Sequence, residues 1–159
     1  MKLRKITPAD DAAIAALIRH SLEKYGLDIP GTAYFDEHLD HLSEFYGQDP
    51  EHRAYYILQA DNGSVAGGVG VAEFDAIENC AELQKLYLAD NLQGQGLGYG
   101  LIKIAETAAR RLGYKKLYLE THTNLQAAMH IYEKTGFKKI QRPEAAVHST
   151  MDSFYLKDL

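Results

Sequence analysis

The sequence predicts an α/β fold, in which helices pack on a mixed β-sheet. Strand-like segments with apolar alternation recur between segments that have helical periodicity. A strong turn signal, Asp-Asn-Gly-Ser at 61–64, joins two strand-like segments into a hairpin, and a glycine-rich turn joins a third strand to a long helix. The element order is β-α-α-β-β-β-α-β-α-β-β, and the 159 residues fit one domain spanning residues 1–159.

The first half of the chain is expected to contain three strands and two helices. Residues 2–7 form a strand, and Pro8 with the acidic residues after it opens a helix, because carboxylates suit the positive end of the helix dipole. A second helix is predicted over residues 33–46, within the least periodic part of the chain. Residues 53–60 and 65–74 form the two strands of the hairpin.

The second half alternates strands and helices. Residues 97–112 form a helix with a continuous apolar stripe, which Gly113 ends. Residues 124–135 form another helix, with Thr123 or Asn124 as its N-cap and Gln126 completing a capping box with Thr123. The remaining strands are predicted over residues 81–88, 115–121, 137–141 and 152–157.

Composition and charge argue against several classes of protein. A formal net charge of −5 disfavours nonspecific nucleic-acid binding, which needs clustered Lys and Arg. The longest apolar run, residues 12–18, is far too short to span a membrane, and the first residues lack the apolar stretch of a signal peptide. The single cysteine, Cys80, is expected in the core. A cytoplasmic protein with neither nucleic-acid nor membrane partners is therefore expected.

A glycine-rich turn precedes the helix over 97–112, and its sequence is Gln93-Gly94-Gln95-Gly96-Leu97-Gly98-Tyr99-Gly100. Glycines let the backbone approach a ligand closely, and free N–H groups at a helix N-terminus favour an anion, so the turn predicts a phosphate cradle. The alternative is a flexible turn whose glycines serve helix–sheet packing. No Gly-Lys-Ser/Thr follows to make a Walker loop, and the dinucleotide fingerprint fails because Tyr99 and Leu101 stand where it needs glycine.

A second motif lies on the helix over 124–135, and its residues are Asn124, Ala127, Tyr132, Gly136 and Phe137. Taken alone, Tyr132 indicates only a half-buried core tyrosine. The first motif, however, fits the pattern Q/R-x-x-G-x-G/A at Gln93, Gly96 and Gly98. In this order, separated by a helix and a strand, the two motifs resemble those of the GCN5-related N-acetyltransferase (GNAT) superfamily, as in a bacterial subgroup of unassigned substrate. The strong resemblance covers residues 80–141.

The resemblance implies a fold, a cosubstrate and a set of binding residues. The fold is the acyl-CoA N-acyltransferase fold, whose mixed sheet splays open between two strands. Acetyl-coenzyme A is the implied cosubstrate, and no metal is expected. The glycine-rich turn would hold the pyrophosphate, while Asn124 and the end of the strand over 81–88 would bind the pantetheine arm. The implied coenzyme-binding residues are Leu86, Tyr87, Leu88, Gln93, Gly94, Gln95, Gly96, Leu97, Gly98, Tyr99, Asn124, Ala127 and Tyr132.

The implied reaction is direct acetyl transfer to an amine in a ternary complex. The Leu88 N–H would stabilise the oxyanion, and the Tyr132 hydroxyl would protonate the departing thiolate. An amine arrives mainly as ammonium, so a base must first remove a proton. Glu82 and Glu120 are the two candidates, either of them acting through water, and each is equally readable as a solvated or ion-paired acid. Strand alternation places Glu82 on the same face as Leu86 and Leu88.

The acceptor is left open by the sequence. Aromatic residues beside carboxylates over residues 25–46 would suit a cationic amine, although a solvated helix face explains the carboxylates equally well. Small-molecule amines such as amino acids and polyamines, and a protein N-terminus, are all candidate substrates. The competing functions are a noncatalytic CoA-binding sensor and, weakened by the failed fingerprint, a nucleotide-binding oxidoreductase. Many members of the family form homodimers through their late strands, so a homodimer is one expected assembly.

Overall fold

A computed structural model describes residues 1–159 and contains one seven-stranded mixed sheet of strand order β1-β2-β3-β4-β5-β7-β6. The strands are β1 (Lys2–Lys5), β2 (Ala54–Gln59), β3 (Val65–Glu73), β4 (Cys80–Leu88), β5 (Lys116–Thr121), β6 (Lys138–Ile140) and β7 (Ser153–Asp158). The helices are α1 (Asp11–Lys24), α2 (Leu42–Gln48), α3 (Leu97–Arg111) and α4 (Gln126–Lys134). The α/β class is confirmed, and each predicted strand is present within two residues of its expected bounds.

The two faces of the sheet carry separate apolar cores. On one face, α3 and α4 pack over β3, β4 and β5 through residues that include Leu101, Ile102 and Met129. On the other face, α1 and α2 cover β2 and β3 through residues that include Ile14 and Leu42. None of the helices combines the length with the apolar composition needed to cross a bilayer.

The helix predicted over residues 33–46 is wrong. Two short 3₁₀ turns, Ala33–Phe35 and Leu39–His41, precede α2 instead. The chain leaves helical conformation at Asp36, which adopts an extended ψ of 131°. The Asp36 carboxylate is held by ion pairs to Lys85 and His148 from other parts of the fold, so tertiary contacts override the local helical pattern.

The predicted cap of α4 is also wrong. Leu125 occupies the N-cap position and makes no side-chain capping hydrogen bond. The Thr123 hydroxyl donates to Asp152 instead, and the Asn124 amide donates to the Tyr25 carbonyl at the end of α1, 3.0 Å away. These side chains therefore attach the start of α4 to its neighbours rather than satisfying its own first N–H groups.

A β-bulge interrupts β4 at Lys85, a non-glycine residue with a positive φ of 48°. Before the bulge, Leu83 faces the α3 side of the sheet, whereas after it Leu86 and Leu88 face that side and Tyr87 faces α1. The prediction that Glu82 shares a face with Leu86 and Leu88 is therefore wrong, because the extra residue reverses the alternation.

The sheet opens between β4 and β5. These two parallel strands pair only at Cys80–Lys116, Ala81–Leu117 and Glu82–Tyr118, after which they diverge. The remaining two thirds of β4 has no partner on this side, and a gap connects the two faces of the sheet. The splayed sheet implied by the resemblance is confirmed.

Candidate active site

A cleft of about 440 Å³ occupies the gap between β4 and β5. Its walls come from the second half of β4, the end of β5, the glycine-rich turn and α4, with the end of α1 closing one side. The cleft extends from Glu82, at the apex where the two strands still pair, to the start of α3.

The glycine-rich turn presents unused backbone donors at the open end of the cleft. Gly94 and Gly96 have φ values of 76° and 77°, a conformation that favours glycine, and α3 begins immediately after Gly96. The N–H groups from Gly94 to Tyr99 donate to no other protein group. Amides left free at a helix N-terminus form an anion site.

Two residues of the glycine-rich turn also make contacts within the protein. A Cβ on Gly98 would lie 3.0 Å from Ile131 Cδ1, so this glycine permits close packing of α3 on α4. The Gln93 side chain donates to the Leu88 carbonyl, 3.1 Å away, and shapes the turn. Gln93, Gly94, Gly96, Gly98 and Tyr99 line the cleft, whereas Gln95 and Leu97 do not.

The end of β4 directs backbone groups into the gap. Ala89 N–H donates to the Ala66 carbonyl of the hairpin, and β3 pairs with β4 at Gly68–Tyr87. Since hydrogen-bonding direction alternates along an antiparallel pair, the N–H of Leu88 points away from β3 and into the gap. Leu86, Tyr87 and Leu88 all line the cleft.

The Tyr132 side chain on α4 lines the cleft from the opposite wall. Its ring packs against Phe137 and Tyr155, and its hydroxyl makes no hydrogen bond to the protein. Burial raises the pKa of Tyr132 well above its ordinary value, with a smaller contribution from Tyr155. The phenol therefore keeps its proton at neutral pH, and its oxygen is free to meet a ligand.

Ala127 lies one helical turn before Ile131 on the part of α4 that lines the cleft. A small side chain here keeps the wall open to a ligand that follows the helix. Asn124 is not among the lining residues, because its amide is occupied at the Tyr25 carbonyl.

Glu82 is buried at the apex of the gap and has no cationic partner. Its one protein hydrogen bond comes from the Gln84 side-chain amide, 2.9 Å away. Burial raises the pKa of Glu82 to about 7, and the negative charge of Glu120 adds to the effect. A carboxylate with such a pKa takes up and releases a proton near neutral pH.

Glu120 lies on β5 two residues after Tyr118, the last position that pairs with β4, and belongs to a charged network. It accepts hydrogen bonds from the Tyr118 hydroxyl at 3.0 Å and from His148 Nδ1 at 2.8 Å. His148 Nε2 lies 2.7 Å from Asp36 Oδ1, and Lys85 Nζ donates to Asp36 Oδ2 at 2.7 Å. Positive and negative charges thus alternate from Lys85 to Glu120.

Sequence reasoning gave no role in the site to His148 or Lys85, and it included Asp36 only among the carboxylates of residues 25–46. His148 lies in the irregular segment between β6 and β7, and Asp36 ends a 3₁₀ turn more than 100 positions away. No local pattern connects them. Lys85 differs from the rest of β4 in its positive φ, which the bulge imposes. The alternating sequence of the strand gives no sign of this conformation.

Several polar and aromatic residues of the segment 25–46 have partners outside the cleft. Asp40 pairs with Arg19, and the Tyr34 hydroxyl donates to Glu23. From residues 25–46 only Tyr25 and Ala33 line the cleft. Cys80 is buried with Tyr118 and Phe74, in the core as expected.

Known proteins share the sequence pattern and the fold of this chain. Residues 15–137 match the acetyltransferase (GNAT) family. The chain is 39% identical over 140 residues to YjgM of Escherichia coli K12, an uncharacterized N-acetyltransferase, with 87% of this chain and 82% of YjgM covered.

Solved structures show the same fold at low sequence identity. A GNAT-family acetyltransferase of Staphylococcus aureus superposes with a TM-score of 0.86 at 14% identity, covering 99% of this chain and 98% of its own. YncA of Salmonella typhimurium, solved with its cofactor acetyl-CoA, superposes with a TM-score of 0.76 at 21% identity. The superposition covers 99% of this chain and 93% of YncA. With a family match over most of its length, the chain belongs to the acetyltransferase (GNAT) family.

Proposed function

We propose that this protein transfers acetyl from acetyl-CoA directly to the primary amine of a small molecule. The observation that carries the proposal is the convergence of four groups on one cleft. These are free backbone amides for an anion, the Leu88 N–H, the free Tyr132 hydroxyl and the unpaired carboxylate of Glu82.

Acetyl-CoA enters from the open end of the cleft. The free N–H groups after Gly94 hold its pyrophosphate, which an acidic protein of net charge −5 cannot attract through its overall field. The pantetheine arm lies along Leu86 and Leu88, whose backbone groups face the gap, with Ala127 on the opposite wall. Asn124 fixes the start of α4 through Tyr25 and so sets the width of the cleft at this point.

Acetyl transfer then uses two donors on opposite walls. The Leu88 N–H meets the thioester oxygen and stabilises the charge that develops on it as the amine attacks. The Tyr132 hydroxyl donates its proton to the departing sulfur. A phenol of raised pKa is fully protonated at neutral pH, as an acid requires.

Glu82 rather than Glu120 accepts the proton of the amine, directly or through water. The oxygens of Glu120 already accept hydrogen bonds from His148 and Tyr118. Glu82 has only a neutral amide for a partner, and its pKa of about 7 matches the task of a base at neutral pH. The carboxylate also attracts the ammonium form of the substrate.

The acceptor enters from the α1 side of the sheet, since Glu82, Gln84 and Glu120 lie on that face. The 3₁₀ turn Ala33–Phe35 and the segment between β6 and β7 meet over this end through Asp36 and His148. An approach that ends at a buried carboxylate favours a small amine over the terminus of a folded protein.

Release of free CoA thiol from acetyl-CoA in the presence of a panel of small amines tests the proposal. We expect thiol release that depends on the amine and an acetylated product confirmed by mass spectrometry. Thiol release without any amine would indicate thioester hydrolysis. Binding of acetyl-CoA by thermal shift, with no turnover for any amine or N-terminal peptide, would instead identify a noncatalytic CoA-binding module.

A further inference from the structure

Resting on the function proposed above, we propose that His148 is a positioning residue that neutralises Glu120, so that Glu82 is left as the only free carboxylate at the acceptor end of the cleft. His148 bridges three parts of the fold. It comes from the segment between β6 and β7. It contacts Asp36, which follows the 3₁₀ turn Ala33–Phe35, and Glu120 on β5.

The geometry requires a doubly protonated ring. Both ring nitrogens lie within hydrogen-bond distance of a carboxylate, at 2.7 Å from Asp36 and 2.8 Å from Glu120. An ionised carboxylate only accepts hydrogen bonds, so each nitrogen must carry a proton. His148 is therefore an imidazolium, and its backbone N–H reinforces the contact with Glu120 at 3.1 Å.

The charged groups around His148 support this assignment. Asp36 and Glu120 face it directly, Lys85 lies beyond Asp36, and Glu82 lies one strand away across the apex of the gap. Burial alone would lower the pKa of His148, but the hydrogen bonds to Asp36 and Glu120 outweigh it and raise that pKa to about 9. The imidazolium thus persists over the range in which Glu82 titrates.

The consequence for catalysis is a separation of two nearby glutamates. The negative charge of Glu120 near the apex raises the pKa of Glu82. With Glu120 compensated by His148, the repulsion on Glu82 is reduced, and the positive charge of His148 lowers the pKa of Glu82. The site then has one base and one uncompensated negative charge. This charge matches the single reacting ammonium group of a substrate and leaves no counter-charge for a second cation beside it.

The direct test is nuclear magnetic resonance of the full chain labelled at its seven histidines, recorded from pH 6 to pH 10. We expect one imidazole to remain doubly protonated at pH 8 and its signals to disappear in His148→Asn. If that variant does not fold, Asp36→Asn provides the assignment by lowering the pKa of the same imidazole. Titration of all seven rings below pH 7.5 would overturn the inference.

The functional test is the pH profile of kcat/KM with the best amine of the panel. In His148→Asn we expect its acid limb to move upward by about 1 pH unit, the scale on which a neighbouring charge moves a carboxyl pKa. His52→Asn is the matched control, because it removes an exposed histidine that pairs with Asp49 and does not line the cleft. If the wild type is active and the acid limbs of the wild type, His148→Asn and His52→Asn coincide, the role of His148 is refuted and the acetyltransferase proposal stands. If the wild type is inactive with every amine, the acetyltransferase proposal is refuted.

Discussion

The Gln84 side-chain amide donates a 2.9 Å hydrogen bond to the Glu82 carboxylate and accepts one of 2.6 Å from the Tyr46 hydroxyl. Gln84 therefore orients Glu82 without neutralising it. The only hydrogen-bond partner of this buried acid is uncharged, and its pKa of about 7 follows from that environment. The properties of Glu82 lead to two of the predictions below.

Glu82→Gln is expected to lower kcat/KM at pH 7.5 by about 100-fold, the low end of what a general base contributes. In the wild type, Glu82 is protonated below its pKa, so kcat/KM should rise with pH through about 7. The variant should lose this limb while retaining affinity for acetyl-CoA. Glu120→Gln is the comparison, and loss of the limb in that variant instead would assign the base to Glu120.

The same substitution should stabilise the fold at alkaline pH. Folding raises the pKa of Glu82 from 4.5 to about 7, so the folded state binds the proton more tightly than the unfolded state. The contribution of Glu82 to the stability of the wild type therefore falls as pH rises from about 4.5 to 7. In urea unfolding, the free energy of unfolding of Glu82→Gln should exceed that of the wild type by on the order of 2 kcal/mol at pH 8. The difference should be much smaller at pH 4.5. A gap independent of pH would contradict the burial of an ionisable Glu82.

Tyr132→Phe should lower kcat by about 10-fold to 100-fold, because the departing thiolate loses its proton donor. The ring packing against Phe137 and Tyr155 is retained, so the Kd for acetyl-CoA should change little. Stopped-flow or steady-state kinetics with calorimetric Kd values separates the two effects. Unchanged kcat would remove Tyr132 as the acid.

Gly96→Ala should weaken acetyl-CoA binding by about tenfold. No atom lies within 4 Å of a Cβ at this position, so the cost comes from forcing alanine to a φ of 77° at the start of α3. Gly100→Ala is the matched control, since it also has open space around its Cβ but lies in ordinary helical conformation within α3. It should leave the Kd unchanged and raise stability by up to about 1 kcal/mol. Equal Kd values for both variants would argue against the cradle.

The sequence predicted the elements of the proposed coenzyme site better than those of the proposed acceptor site. The glycine-rich turn, α3 and α4 rest on local signals, namely glycine spacing, helical periodicity and a glycine stop, and these appear close to where they were expected. The network of Asp36, His148 and Glu120 depends on contacts between distant segments. The helix predicted across Asp36 failed for the same reason, because ion pairs from β4 and from the segment before β7 fix this residue outside a helix.

The bulge at Lys85 explains a second failure. Assigning the faces of a strand from alternation assumes that the strand contains no bulge. In β4, the one residue in left-handed conformation moves every later side chain to the opposite face of the sheet from the one that alternation predicts. Glu82 precedes the bulge, so its prediction as a candidate base does not depend on the later alternation and stays a prediction. Its supposed alignment with Leu88 is wrong.

The divergence of β4 from β5 also has a consequence for the solution behaviour of the protein. Past Glu82, β4 is an unprotected strand edge in the middle of a sheet, and natural proteins usually shield such edges because they recruit foreign strands. Under the proposed function, the pantetheine arm of acetyl-CoA covers this edge. The tendency of the chain to self-associate should thus depend on how much acetyl-CoA surrounds it, so coenzyme depletion would threaten its solubility as well as its turnover.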